Sequence, residues 1–138
     1  MKHSVLRTDE KITFKLRELY RDWGYVQYRV GKFEEYDLYM QNKNFLASEQ
    51  ILTFSDTNGK LMALKPDITL SIIKNTKDEG GTKKLFYSEH VYRVPKNAYG
   101  FKEILQTGLE CIGEVDSLAT AEVLMLAAES LKTISERF

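Results

Sequence analysis

Apolar residues recur along this chain with two different periods. Over 9–23 they return every three or four residues, which is the spacing of one face of a helix. The same period predicts a short helix over 67–75, directly after Pro66, and a long helix over 117–138. Each helix is expected to bury its apolar stripe, which in the long helix consists of Leu124, Ala127, Ala128, Leu131 and Ile134.

Segments rich in β-branched and aromatic residues predict strands between these helices. They are Tyr25–Val30, Ile51–Phe54, Lys60–Leu64, Lys84–Tyr87, Glu89–Val94 and Lys102–Ile112. An Asn-Gly turn at 58–59 predicts one hairpin, the loop at 95–100 predicts another, and 33–40 is expected to form a loop or a short helix. Helices that flank consecutive antiparallel strands indicate an α+β fold, with an antiparallel sheet, in a single domain over 1–138.

Composition and charge narrow the function classes. The 138 residues carry 20 Lys and Arg against 20 Asp and Glu, and a net charge of zero argues against a dedicated nucleic-acid or anionic-membrane binder. No apolar run approaches the ~18 residues of a membrane span, and no secretory signal begins the chain. The single cysteine, Cys111, indicates a reducing cytoplasm. No metal or cofactor motif is present, so none is expected.

One group of polar residues could carry chemistry. Gln106, Gly108 and Glu110 stand two residues apart on a predicted strand, so they share one face of the sheet. Gly108 is expected to leave a hole in that face, over which a small ligand could lie. Arg93 on the partner strand could reach the same face. Asp67, with Thr69 two residues further on, could add a carboxylate and a hydroxyl from a helix start.

This set suits a zwitterionic ligand. Carboxylate and amide oxygens accept hydrogen bonds from an ammonium or an imidazole N–H group, and the planar fork of Arg93 pairs with a carboxylate or phosphate. The spacing alone leaves an alternative open. Gln106 and Glu110 could lie on a solvated sheet face, and Arg93 could be an ordinary ion-pair partner.

Three segments carry a resemblance to the histidyl-tRNA synthetase-like class II family. Leu64–Thr69 is similar to the Leu-Arg-Pro-Glu/Asp-x-Thr segment of that family. Phe86–Arg93 and Phe101–Gly113 resemble motif 2 of class II aminoacyl-tRNA synthetases, and the Gln-x-Gly-x-Glu-x-x-Gly end of motif 2 is fairly specific for the histidyl branch. The similarity extends over almost the whole chain and implies a partial class II domain with motifs 1 and 2 only.

The resemblance implies a histidine pocket and, through motif 1, a homodimer. Asp67, Thr69 and Gln106 would hold the α-amino group of L-histidine, and Glu110 would face its imidazole. Arg93 would meet the carboxylate or, in a synthetase, the α-phosphate. The family includes enzymes that charge tRNA with histidine and a paralogue, the regulatory subunit of ATP phosphoribosyltransferase in histidine biosynthesis.

Departures from the synthetase pattern decide between these two functions. Pro95 stands where a synthetase has a glutamate that places adenine, and Tyr99-Gly100 replaces the Gly-Arg element of the motif 2 loop. Gly31 stands where the proline ending motif 1 is expected, and no counterpart of motif 3 is found. We therefore expect a non-catalytic regulatory subunit that binds the catalytic subunit of ATP phosphoribosyltransferase and, as a further expectation, histidine. The alternatives are the N-terminal part of a histidyl-tRNA synthetase and an interaction module with an empty pocket.

Overall fold

The computed structural model describes residues 4–43, 51–77, 79–95 and 99–135. Pairs of strands lie between the helices within these ranges, and the fold is of the α+β class. They are α1 (Thr8–Asp22), β1 (Val26–Gln27), β2 (Phe33–Glu35), α2 (Tyr36–Gln41), β3 (Thr53–Ser55), β4 (Leu61–Leu64), α3 (Thr69–Asn75), β5 (Thr82–Arg93), β6 (Lys102–Gly113) and α4 (Ser117–Ile134). Residues 96–98 of the predicted hairpin loop and the predicted helix end at 136–138 lie outside the described residues.

The chain packs into two compact units, and β5 and β6 contribute residues to both. Unit 1 comprises Met1–Tyr28, Asp78–Tyr87 and Thr107–Phe138, and unit 2 comprises Arg29–Lys77 and Ser88–Gln106. The expected single-domain organisation over 1–138 stays a prediction.

Unit 1 builds its core between two helices and a sheet. The sheet has the order β1-β5-β6, and β1 runs parallel to β5, with Val26 opposite Leu85. The core residues are Leu16, Tyr20, Tyr25, Phe86 and Leu126. Helix α1 ends where Gly24 adopts a φ of 83°, and the N–H groups of Gly24 and Tyr25 donate to the carbonyls of Arg21 and Tyr20. This is the helix ending that favours glycine.

Unit 2 contains a second sheet with the order β2-β4-β3, in which both pairs are antiparallel. The Asn-Gly turn forms the predicted hairpin between β3 and β4, where Asp56 accepts backbone hydrogen bonds from Asn58 and Lys60. The 33–40 stretch is a strand followed by a helix, because Phe33, Glu34 and Glu35 pair with Leu64, Ala63 and Met62 before α2 begins. Tyr39, Ala63 and Leu70 form a core cluster of this unit.

Several predicted boundaries are wrong in detail. The predicted strand at 25–30 is reduced to Val26–Gln27, which pair with Leu85 and Phe86 of β5. The predicted strands at 84–87 and 89–94 are one continuous strand, β5. Asp116 caps α4, because its Oδ1 accepts a hydrogen bond from the backbone N–H of Ala119 at 2.8 Å.

The predicted apolar stripe of α4 is wrong as a core face. Leu124 is 67% exposed, and Leu131 and Ile134 are also exposed, whereas Leu126 on another face is fully buried. The buried face includes polar residues, so the spacing of apolar residues does not identify it. Among them, Glu122 pairs with Lys84 at 2.9 Å, and the hydroxyls of Ser130 and Tyr20 lie 2.7 Å apart.

None of the helices within the described ranges is long and apolar enough to cross a membrane.

Candidate functional site

The start of α3 positions the first two candidate residues. Pro66 is fully buried and directly precedes Asp67, and Thr69 is the first residue of the helix. The Oδ2 atom of Asp67 accepts a hydrogen bond from the backbone N–H of Leu70 at 3.4 Å, as a carboxylate at a helix start can do. Asp67 and Thr69 are both half-buried.

Arg93 joins this helix start to β6. Its Nε donates to the carbonyl oxygen of Pro66 at 3.1 Å, and its Nη2 donates to Oε1 of Gln106 at 3.3 Å. The backbone N–H of Tyr92 also donates to the carbonyl of Lys65 at 2.9 Å, so β5 is fixed against the 65–66 segment. The guanidinium group of Arg93 therefore links Gln106 to the residue that precedes Asp67, within unit 2. This confirms that Arg93 and Gln106 meet on one face.

Glu110 belongs to the other unit. It follows Gln106 by four residues on β6 and is half-buried in unit 1. Its membership of one histidine pocket with Asp67, Thr69, Arg93 and Gln106 therefore stays a prediction.

The predicted hole over Gly108 is wrong. A Cβ atom placed on Gly108 would lie 2.4 Å from the hydroxyl oxygen of Tyr87 and 2.6 Å from Cζ of the same ring. The Tyr87 side chain, only 4% exposed, already fills this space. Periodicity does not reveal such a close approach between strands. A glycine inside a strand was the available signal, because it often marks a point where another group comes close.

A buried ionic cluster, which sequence reasoning missed, packs against α3. Glu34 of β2 is 9% exposed, and its carboxylate accepts hydrogen bonds from Nζ of Lys74 at 2.8 Å and from the Ser71 hydroxyl at 3.3 Å. Burial opposes ionisation of Glu34. Even so, the Lys74 bond, the Glu35 N–H and the charge of Lys65 outweigh it, and the pKa of Glu34 lies below its ordinary value. An ionised Glu34 thus fixes one face of α3.

Lys65 completes this cluster between β4 and α3. Its side chain is almost fully buried, and burial lowers the pKa of its ammonium group, while the nearby carboxylates of Glu34 and Glu89 oppose that shift. The phenol of Tyr39, also buried, has a raised pKa, mainly through desolvation.

No group of three or more histidine, cysteine or carboxylate side chains that could hold a metal ion occurs in the part of the chain that the structure describes.

Comparisons with known proteins relate nearly the whole chain to one family. The model of the histidyl-tRNA synthetase family matches residues 3–137. The ATP phosphoribosyltransferase regulatory subunit of Clostridium novyi is 34% identical over 122 residues, which cover 85% of this chain and 29% of that protein. The histidine–tRNA ligase of Methanocaldococcus jannaschii is 32% identical over 129 residues, which cover 90% of this chain and 31% of that protein.

A solved structure agrees with this likeness. The crystal structure of an ATP phosphoribosyltransferase regulatory subunit/histidyl-tRNA synthetase from Bacillus halodurans has a TM-score of 0.76 and 25% sequence identity. The match covers 96% of this chain and 36% of that one. The chain thus spans between 29% and 36% of the length of these relatives. Because the family model and the fold both extend over nearly the whole chain, the chain belongs to the histidyl-tRNA synthetase family.

Proposed function

We propose that this chain is a regulatory subunit of ATP phosphoribosyltransferase that binds the catalytic subunit and L-histidine. The observation that carries the histidine part is the guanidinium group of Arg93, held by the Pro66 carbonyl and the Gln106 amide beside Asp67. One cation next to one carboxylate and one amide matches the carboxylate and ammonium groups of an amino acid. The regulatory part is supported by relatives that bear this name, such as the protein of Clostridium novyi.

The proposed histidine site uses five residues in two roles. Asp67, Thr69 and Gln106 accept or donate hydrogen bonds at the α-amino group, while Arg93 pairs with the ligand carboxylate. Glu110 accepts a hydrogen bond from the imidazole. Regulation then requires that histidine bind one arrangement of the complex more tightly than another, since equal affinity for both would shift nothing. The expected cytoplasmic location and homodimer remain part of this proposal.

A second candidate function is supported by the ligase names among the relatives. The histidine–tRNA ligase of Methanocaldococcus jannaschii aligns over 129 residues of the chain, so this chain could instead form the front part of a synthetase. Pro95 weighs against that role, because a synthetase has a glutamate there that places adenine. Activation of an amino acid with ATP also needs cations on the phosphates, and motif 2 here keeps Arg93 but not the Gly-Arg element.

The first experiment tests the protein partner. The chain is mixed with a short-form catalytic subunit of ATP phosphoribosyltransferase, and the mixture is analysed by size-exclusion chromatography with light scattering. We expect one co-eluting complex whose phosphoribosyltransferase activity differs from that of the catalytic subunit alone. Separate elution with unchanged activity would contradict the regulatory function. Histidine-dependent exchange of pyrophosphate into ATP by this chain would instead establish the synthetase alternative.

The second experiment tests the histidine site. L-Histidine is expected to raise the melting temperature of the chain, because a ligand that binds only the folded state stabilises it. Glu110→Ala should abolish that rise and leave the melting temperature without ligand nearly unchanged. Glu103→Ala is the matched control, since Glu103 is an exposed carboxylate on the opposite face of β6. Equal rises in both variants would reject Glu110 as a ligand of histidine.

A further inference from the structure

A row of three side chains with O–H, N–H or S–H groups crosses the sheet of unit 1. Tyr25 comes directly before β1, whose parallel pairing with β5 places it beside Lys84. The register of β5 and β6 is fixed where the backbone N–H of Glu114 donates to the carbonyl of Gly81 at 3.0 Å. Three residues along each strand from there, Lys84 stands opposite Cys111. Tyr25, Lys84 and Cys111 therefore lie in one row, and all three belong to unit 1.

This row faces α4. The Nζ atom of Lys84 lies 2.9 Å from the carboxylate of Glu122 on that helix and 5.6 Å from the centroid of the Tyr25 ring. Cys111 follows Glu110 directly on β6, so its side chain leaves the opposite face of the strand. The thiol is thus on the core side of the sheet, away from the carboxylate to which the proposed function assigns the imidazole.

The hydroxyl of Tyr25 is a buried donor in this row that lacks an acceptor. Tyr25 is 2% exposed, and its hydroxyl oxygen has no hydrogen-bond partner among the residues that the structure describes. Burial raises the pKa of this phenol to about 12, and the negative charges of Glu122 and of an ionised Cys111 raise it further, so both groups lie within electrostatic reach of it. Buried hydroxyls in native proteins almost always have a partner. This one requires an acceptor that the described residues do not supply.

Oxidation of Cys111 would supply such an acceptor. The cysteine is half-buried, so a molecule as small as hydrogen peroxide can reach its sulfur. We propose that Cys111 is a modification site, at which a peroxide oxidises the thiol to a sulfenic acid whose oxygen accepts a hydrogen bond from the Tyr25 hydroxyl. Lys84 is already paired with Glu122, so the phenol is the donor that gains a partner.

The step is a two-electron oxidation of the sulfur atom. The thiolate attacks one oxygen of hydrogen peroxide, an S–O bond forms, the O–O bond breaks, and the second oxygen leaves as hydroxide. The hydroxide takes up the proton that the thiol released, so thiol and hydrogen peroxide give sulfenic acid and water. Because Cys111 is the single cysteine of the sequence, a disulfide can then form only with a thiol from outside the chain.

The first test measures whether Cys111 forms a sulfenic acid in the folded chain. The full chain is treated with hydrogen peroxide in the presence of dimedone, which alkylates sulfenic acids but not thiols, and the adduct is located by peptide mass spectrometry. We expect an adduct at Cys111 and none in Cys111→Ala. If the folded chain gives no adduct under conditions in which the urea-unfolded chain is labelled, the proposal is overturned.

The second test measures the contribution of the phenol. The initial rate of thiol loss in hydrogen peroxide is compared among the wild type, Tyr25→Phe and the control Tyr20→Phe, which removes a hydroxyl that contacts Ser130 instead. Loss of one hydrogen bond to the forming sulfenic acid should slow oxidation of Tyr25→Phe about 3- to 10-fold. Tyr20→Phe should change the rate less than about 2-fold. Equal rates for the wild type and Tyr25→Phe would overturn the proposal.

A stability measurement separates this effect from misfolding. Because the Tyr25 hydroxyl has no partner before oxidation, Tyr25→Phe should not lower the melting temperature of the reduced chain. After oxidation, Tyr25→Phe should melt below the oxidised wild type, since its sulfenic acid lacks the phenol. A lower melting temperature of the reduced variant would show that the hydroxyl already has a partner, and would also overturn the proposal.

Discussion

The two units of the molecule bury different kinds of residue. Unit 1 has an aromatic and aliphatic core, in which Tyr20 and Phe86 lie 5.6 Å apart between ring centroids. Unit 2 also buries apolar side chains, but it contains all the polar and charged residues other than tyrosine that are buried in the described chain, namely Glu34, Lys65 and Ser71. Among the ion pairs of unit 1, Lys84 with Glu122 keeps partial exposure.

This difference concerns the part of the candidate site that lies in unit 2, since Glu110 belongs to unit 1. Burying a charged group costs free energy unless it is paired and hydrogen-bonded, so an ionic cluster contributes little net stability to a core. The advantage of such a cluster is that its hydrogen bonds have defined directions. The bonds of Glu34 to Ser71 and Lys74 fix the orientation of α3, the helix that begins beside Asp67 and Thr69. Unit 2 therefore uses polar burial where a candidate ligand site needs precise geometry.

The largest effect is expected in the core of unit 1. Leu126→Ala removes a fully buried side chain and leaves a cavity, which should lower the free energy of unfolding by about 2–5 kcal/mol. Leu124→Ala on the same helix removes an exposed side chain and should change it by less than about 0.5 kcal/mol. Urea denaturation of both variants measures the difference. Similar losses would mean that α4 does not pack through the Leu126 face.

The second prediction concerns the ionic cluster of unit 2. Glu34→Gln removes the charge that Lys74 and Lys65 face, and should lower the free energy of unfolding at neutral pH by about 1.5–3 kcal/mol. Glu35→Gln breaks only an exposed pair with Lys60 and should cost less than about 1 kcal/mol. Urea denaturation at neutral pH distinguishes them.

The cost of Glu34→Gln should depend on pH with a definite sign. The pKa of Glu34 is lower in the folded chain than its ordinary value of 4.5. Its ionised form therefore stabilises the fold fully above pH 4.5, and that contribution is lost as the pH falls through the folded pKa. The gap between wild type and Glu34→Gln should narrow on acidification below 4.5. A gap that widens there would contradict an ionised Glu34 in the folded state.

The third prediction tests the contact above Gly108. Gly108→Ala places a methyl group against the buried Tyr87 ring and should cost about 1–3 kcal/mol of unfolding free energy. Gly31→Ala is the matched control, since no atom lies within 4 Å of its added Cβ. In a Tyr87→Leu background the cost of Gly108→Ala should shrink, and a double-mutant cycle measures this coupling. Additive effects would show that Tyr87 is not what requires a glycine.

Several elements of the fold could be predicted from the sequence because local signals determine them. Helix α1 and its ending at Gly24 follow from local signals, as do the hairpin at 58–59 and the Asp116 cap. The buried face of α4 could not be predicted, because apolar residues occupy more than one face of that helix and Glu122 lies on the inner one.

The remaining features depend on tertiary contacts, which local patterns do not contain. Glu34 and Lys74 are 40 positions apart in the sequence, and neither lies in a motif. Tyr87 meets Gly108 across two strands, so only the glycine hinted at a close approach. For the candidate site, the predicted hairpin correctly brings Arg93 to Gln106, and the two side chains share a hydrogen bond.

The smallest effect is expected for a buried neutral hydroxyl in unit 1. Tyr20→Phe removes the 2.7 Å contact with Ser130 and keeps the ring against Phe86, so it should cost about 0.5–1.5 kcal/mol of unfolding free energy. The fully exposed Tyr99 provides the control, and Tyr99→Phe should have no measurable effect on urea denaturation. Because Tyr20 and Ser130 are neutral, their contribution should stay constant across the acidic range in which that of Glu34 declines. A loss for Tyr20→Phe as large as that for Glu34→Gln would mean that unit 1 depends on buried polar groups as much as unit 2, and the contrast between the two units would not hold.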